Sequence, residues 1–140
     1  MNTILVPVDG SQHALNAVKA AITAAGKTGA SLYVITVQAP VFTSNVKRFV
    51  APETIDEYYH DEGEKALKDV RELLNTEGVA ARVEIMVGPV AETVVEYAQK
   101  HDCDLIIMGT RGMGAVSNLV LGSVATKVIS LSPVPVMLVK

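Results

Sequence analysis

Apolar positions along the chain fall into short unbroken runs that alternate with longer stretches in which they recur every three or four residues. The first run, residues 3–8 (TILVPV), stops at Asp9-Gly10-Ser11 and reads as a buried strand ending in a helix-start signal. From Ser11 to about Lys27 the positions Leu15, Val18, Ile22 and Ala25 are spaced by three and four, and Gly26 and Gly29 follow as stop signals, which predicts an amphipathic helix. Residues 31–38 (SLYVITVQ) form a second strand. The stretch from Ala39 to Ala51, with Pro40, Lys47 and Arg48 and no clear period, is expected to be a mobile loop. Pro52 opens a long charged helix reaching about Thr76, with Ile55, Tyr59, Leu67, Val70 and Leu74 on its apolar face and Gly78 after it. Residues 81–87 give a third strand, Gly88-Pro89 a turn, and residues 90–100 a helix that buries Val94, Val95 and Ala98. A fourth strand spans 104–108, a last short helix 123–131, and a final strand runs from Val134 to Val139.

Strands that are apolar throughout and alternate with helices predict a parallel sheet covered on both faces. The expected fold is α/β, an open doubly wound five-stranded parallel sheet with helices on both faces, and residues 1–140 are read as one domain. Ligands of such sheets bind beyond the carboxyl ends of the strands, where the strand order reverses. The segments just after strands one and four are therefore where function is sought.

Composition narrows the classes. Hydrophobic residues make up 49% and charged residues 19% of the 140, which belongs to a compact fold and not to a disordered tail. The single cysteine, Cys103, cannot form an intrachain disulfide, and no Cys/His cluster has structural-zinc spacing, so a reducing, cytoplasmic setting is expected. The first ten residues lack a basic n-region, and no stretch approaches the ~18 apolar residues of a membrane span, so neither export nor membrane insertion is expected. A net charge of −3 argues against a general nucleic-acid binder. Its distribution says more: residues 53–104 hold 14 of the 15 acids, and the one acid outside them is Asp9. From Leu105 to Lys140 there is no carboxylate, so that end could receive an anion without like-charge repulsion, although a mostly buried segment would also lack charges.

The acid-free end carries the chemistry. After strand four come Met108-Gly109-Thr110-Arg111-Gly112-Met113-Gly114, and Gly122-Ser123 opens the last helix. A helix start offers unpaired backbone N–H groups and a partial positive charge, and glycines let phosphates approach the main chain with no Cβ in the way. Ser123 is placed to cap that helix or donate to a phosphate, and Arg111 to reach an anion with several donors. The alternative is that the glycines only make turns, Gly122-Ser123 is an ordinary cap and Arg111 a surface charge. There is no Walker A sequence, and Gly112-x-Gly114-x-x-Ser117 lacks the third glycine of a dinucleotide fingerprint. Asp9, ending strand one, suits hydrogen bonds from a ribose diol or a Mg²⁺ held through water; its competing role is a helix N-cap with Ser11.

These residues carry a resemblance. Gly109-x-x-Gly112, nine residues, then Gly122-Ser123 is similar to the glycine signature of the ATP-binding branch of the universal stress protein family. The opening ILVPVDGS and the closing SPVPVMLV resemble that family's first and last strands, so the likeness spans the whole chain. It implies strand order 3-2-1-4-5, binding of ATP with Mg²⁺, and a regulatory homodimer in stress response formed through the Val134 to Val139 edge. Carried over by position, it implies that Pro7, Val8 and Asp9 line the adenosine, with Asp9 taking the ribose hydroxyls. Val37 and Met108 would flank the adenine, and Gly109, Arg111, Gly112, Gly122, Ser123 and Val124 would hold the phosphates.

Other features are set aside. His101-Asp102-Cys103-Asp104 straddles a helix end and a strand start, where successive side chains diverge, which disfavours a metal site. His13 lies near Asp9 but in the first turn of an exposed helix, where a surface role is expected. Acid pairs such as Asp69 and Glu72 read as a solvated helix face. Two alternatives to a regulatory ATP-binding protein stay open: a slow ATPase or phosphotransferase using the same pocket, and a nucleotide-free scaffold for an unknown client protein. The acid-free segment offers no base for the first, and a bulky residue at Gly109, Gly112 or Gly122 would have favoured the second.

Overall fold

The computed structural model describes residues 1–112 and 121–140. In chain order its elements are β1 (Thr3–Pro7), α1 (Gln12–Thr28), β2 (Ser31–Gln38), α2 (Ser44–Lys47), α3 (Pro52–Glu77), β3 (Ala81–Val87), α4 (Val90–Lys100), β4 (Leu105–Gly109), α5 (Ser123–Leu131) and β5 (Val136–Val139). The strands form one sheet in the order β3-β2-β1-β4-β5, and every pairing is parallel. The strand order reverses at β1, between β2 and β4, so the crevice outside the ends of β1 and β4 is the topological switch point.

Alternation along β1 divides the interior in two. Ile4 and Val6 face a core shared with α1 and α3, while Leu5 faces a core shared with α4 and α5. Helices therefore cover both faces, and the central strands β1 and β4 are buried almost throughout. The apolar face expected for α3 is the one it buries, as are Val94, Val95 and Ala98 of α4.

The structure differs from the sequence expectation in three places. On α1 the buried residues are Ala14, Ala17, Val18 and Ala21, whereas Leu15, Ile22 and Ala25 only flank the core. The period is right and the face is turned, because a stripe of alanines lets this helix lie close to the sheet. The segment from Ala39 to Ala51, expected to be irregular, contains α2, capped by the Thr43 hydroxyl, which accepts from the Val46 amide at 3.2 Å. A four-residue helix is too short to show a period. The same segment is held to α3 by the Tyr59 hydroxyl, which accepts from the Val41 amide at 2.9 Å, and by Phe42 packed edge-on against Tyr58 and Tyr59. Finally, the first strand ends at Pro7, the fourth runs Leu105–Gly109 and the last begins at Val136, shifts of one or two residues at element ends.

Glycines end two helices where only they fit easily: Gly29 (φ 77°) after α1 and Gly78 (φ 65°) after α3 both adopt the left-handed conformation. Gly63, inside α3, has a different task. A Cβ there would stand 2.5 Å from Ile85 Cγ2, so the missing side chain is what lets α3 rest on β3. Among the described residues no helix is long and apolar enough to cross a membrane.

Candidate functional site

Beyond β1 the Val8 amide still donates to Ile35 O at 2.8 Å, and the chain then turns away through Gly10 at φ 85°. That left-handed turn starts α1 without delay. Ser11 is its N-cap, its hydroxyl accepting from the Ala14 amide at 3.1 Å. Asp9 is thus not the cap. Its Oδ1 accepts from the Ser11 amide at 3.0 Å, which fixes the carboxylate at the strand end, and its Oδ2 is directed at Gly112. A Cβ on Gly112 would collide with that oxygen.

The end of β4 approaches from the other side. Gly109 lies against the first turn of α1, where a Cβ would come within 2.8 Å of His13 Cβ and 2.9 Å of the His13 carbonyl carbon. Thr110 is buried, and its amide donates to Val139 O at 2.9 Å while its carbonyl accepts from the Gly122 amide at 2.7 Å. Residues 110–112 and 121–123 therefore lie side by side; a Cβ on Gly122 would sit 3.3 Å from Arg111 Cα and 3.7 Å from the Gly112 amide nitrogen. Arg111 reaches across to α1, with Nη2 3.3 Å from His13 Nε2.

Gly122 is the N-cap of α5, and Ser123 is the first helical residue; among the described residues no side chain caps this helix, so the expected Ser123 cap does not form. Its first turn carries no acid either. Ser123 and Val124 are exposed beside Gly122. Uncapped backbone donors next to a backbone with no Cβ atoms suit an anion. Met108 and Val37 share the apolar cluster on the α4–α5 side of the sheet, and Pro7, paired with Ile35, precedes the buried Val8. All eleven residues proposed from the sequence thus lie on the elements flanking the switch point. Met113 and Gly114, in the same glycine-rich run, fall outside the described residues.

The donor set also fits a magnesium nucleotide. Asp9 is the only carboxylate offered by the ends of β1 and β4, and Mg²⁺ bound mainly by phosphates and water needs no more than one or two. Among the described residues no cluster of three His, Cys, Asp or Glu side chains could hold a metal by itself.

Two features were missed or misplaced at the level of sequence. His13 is not a solvent-facing residue but a half-buried contact between α1 and the turn after β4. Its only signal was its distance of four residues from Asp9. Elsewhere, His101 stacks on Tyr97 with ring centroids 4.0 Å apart, and Tyr33 meets both rings edge-on. This group borders a cavity of about 500 Å³ on the α4 side of β3, where Arg82 and Glu84 pair at 3.0 Å. The Tyr97 hydroxyl is enclosed there beside Glu84, and burial, reinforced by that carboxylate, pushes its ionisation up. Cys103 faces the same core, and burial, reinforced by Asp104 and Asp102, pushes its thiol up to about 11. A buried thiol held in its neutral form packs as a small apolar group.

Comparison with known proteins agrees with this architecture. The sequence pattern of the Universal stress protein family matches residues 1–140. A universal stress protein of Methanocaldococcus jannaschii is 37% identical, the alignment covering 98% of this chain and 81% of the relative. The universal stress protein UspA of Lactobacillus plantarum superposes with a TM-score of 0.84 at 25% identity, over 99% of this chain and 97% of that one. A universal stress protein crystallised in complex with cAMP superposes with a TM-score of 0.73 at 26% identity, over 99% of this chain and 97% of that one.

Proposed function

The chain belongs to the universal stress protein family, and we propose that it is an ATP-binding regulatory member of it. One observation carries this reading. At Gly109, Gly112 and Gly122 the space a Cβ would take is already in contact with Asp9, His13 or Arg111, beside the start of α5, which no side chain among the described residues caps. Close backbone approach, helix-terminal donors and a cation assembled at a switch point suit a phosphate chain. The cAMP complex of a structural relative supports the adenine class.

In this reading Asp9, aligned by the Ser11 amide, accepts from the ribose hydroxyls. Pro7 and Val8 support the nucleoside, and Val37 and Met108 present apolar surface to the adenine. Gly109, Gly112, Gly122, Ser123 and Val124 offer backbone or hydroxyl donors to the phosphates, and Arg111 adds charge-assisted ones. Mg²⁺ would enter on the phosphates, with Asp9 in reach through water, and would supply neutralisation of their charge. Binding, not turnover, is the function proposed; occupancy would alter the stability of the assembly and of the segment from Ala39 to Ala51.

Residues 1–140 act as one unit in this proposal, in the cytoplasm, and two copies meet through β5. That strand lies at the sheet edge, with Met137 43% exposed, and an apolar edge invites pairing.

Calorimetric titration of nucleotide-stripped protein with Mg·ATP, beside Gly122→Val, tests the site. Saturable binding near one ATP per chain, lost in the folded variant, is the expected result. Absence of heat and of any thermal shift in the folded wild type would overturn it. Light scattering on Met137→Lys tests the edge, with monomers expected where the wild type is dimeric.

A further inference from the structure

His13 lies outside the glycine signature, yet the structure fixes it firmly. Its Cβ and carbonyl carbon occupy the space that a side chain on Gly109 would need, so the close approach of α1 to the end of β4 sets where the side chain starts. From there Nε2 meets Arg111 Nη2 at 3.3 Å. A guanidinium has donors and no acceptor, so this contact requires Nε2 to carry the lone pair and the ring proton to sit on Nδ1. Arg111 in turn is next to Gly112 and packed under Gly122, at the edge of the proposed phosphate cradle.

We propose that His13 is a positioning residue, which accepts from Arg111 and orients its guanidinium toward the ligand's phosphates. Resting on the nucleotide reading above, this gives the site a divided specificity. The nucleoside is read by the β1 and β2 ends, and the anionic chain by an arginine that the first turn of α1 has already aimed. A free arginine side chain loses much rotamer entropy when it captures an anion, and a neutral acceptor that restrains it beforehand lowers that cost without competing for its charge.

Two measurements on the full chain test the proposal. The first needs no nucleotide. Imidazole ¹⁵N NMR, at a pH where the three histidine rings are neutral, is expected to show His13 as the Nδ1–H tautomer in the wild type and as the commoner Nε2–H tautomer in Arg111→Ala. An Nε2–H ring in the wild type, or no change in the variant, would overturn the proposal whatever the protein binds. The second is titration with ATP and with adenosine. His13→Ala is expected to weaken ATP about three- to tenfold and leave adenosine unchanged. His13→Gln, whose amide oxygen can accept from Arg111, is expected to restore ATP affinity, and His13→Ala in the Arg111→Ala background to have no further effect. Equal loss of ATP and adenosine, or the same loss without Arg111, would reduce His13 to a structural residue and overturn the proposal. A wild type that binds neither ligand but shows the Nδ1–H tautomer would overturn the nucleotide reading, and with it the proposed orientation toward phosphates, while leaving the His13–Arg111 contact standing.

Discussion

Gly63 and Gly112 make the same statement in sequence and opposite ones in structure. At Gly63 the missing Cβ would have met the Ile85 side chain, so the glycine is filled from outside by the core. At Gly112 it would have met a carboxylate oxygen at the end of β1, so the space is filled by a polar group close to the start of α5. The same division holds for the halves around them. On the β3 side the polar chemistry is carried by long side chains that answer one another, as in Arg82 with Glu84 and Arg71 with Glu64. At the ends of β1 and β4 it is carried mostly by backbone. What a small residue means is decided by what stands opposite it.

The strongest test of this contrast is to fill both spaces. Gly63→Val should lower unfolding stability in denaturant titrations by about 2–3 kcal/mol through overpacking, with nucleotide affinity unchanged in the folded fraction. Adding Ile85→Ala should make the double variant more stable than the two single losses predict. Gly112→Ala should do the reverse, costing under about 1 kcal/mol of stability while weakening Mg·ATP about tenfold or more by displacing Asp9. If Gly112→Ala unfolds the protein and Gly63→Val abolishes binding, the assignment of the two glycines is inverted.

Smaller effects sharpen the boundary of the site. Ser11→Ala removes the cap hydroxyl and should cost about 1 kcal/mol in thermal or chemical unfolding. The contact to Asp9 comes from the Ser11 backbone amide and survives, so ATP affinity should change less than about threefold. The smallest effect lies farthest from the site. Asp104 accepts from the amides of Asn2 and Thr3 at 2.7 and 2.9 Å, which hold its carboxyl below the usual carboxylate range. A carboxyl lowered by folding adds stability above its unfolded pKa, and that stability is lost as pH falls through the folded value. Asp104→Asn should therefore be slightly less stable than wild type at neutral pH, and the difference should vanish in acid unfolding.

Much of this was legible from the chain alone. Apolar runs marked the central strands β1 and β4, because burial on both sides leaves no polar alternation to confuse the reading, while the edge strand β3 carries Arg82 and Glu84 within its run. The Gly109, Gly112 and Gly122 spacing marked segments that pack closely around the ends of β1 and β4, where a Cβ would meet His13, Asp9 or Arg111. Three things did not show. Alanines carry little hydrophobic signal, so the face α1 turns to the sheet was misplaced toward Leu15 and Ile22. The role of His13 depends on a residue 98 positions away, a separation no local pattern encodes. The Ser123 cap failed because Gly122, by adopting an extended conformation at φ −76° and ψ 164°, already holds the N-cap position.

The bond from the Thr110 amide to Val139 O has a wider meaning than local order. Thr110 also receives Gly122 through its carbonyl, so one buried residue is shared by the rim of the crevice and the outermost strand of the sheet. The rim and the molecule's lateral border are thus joined through main-chain bonds alone, without a side chain in between. A side-chain substitution on β5 leaves these main-chain bonds in place, so the border stays tied to the rim whatever side chains it presents.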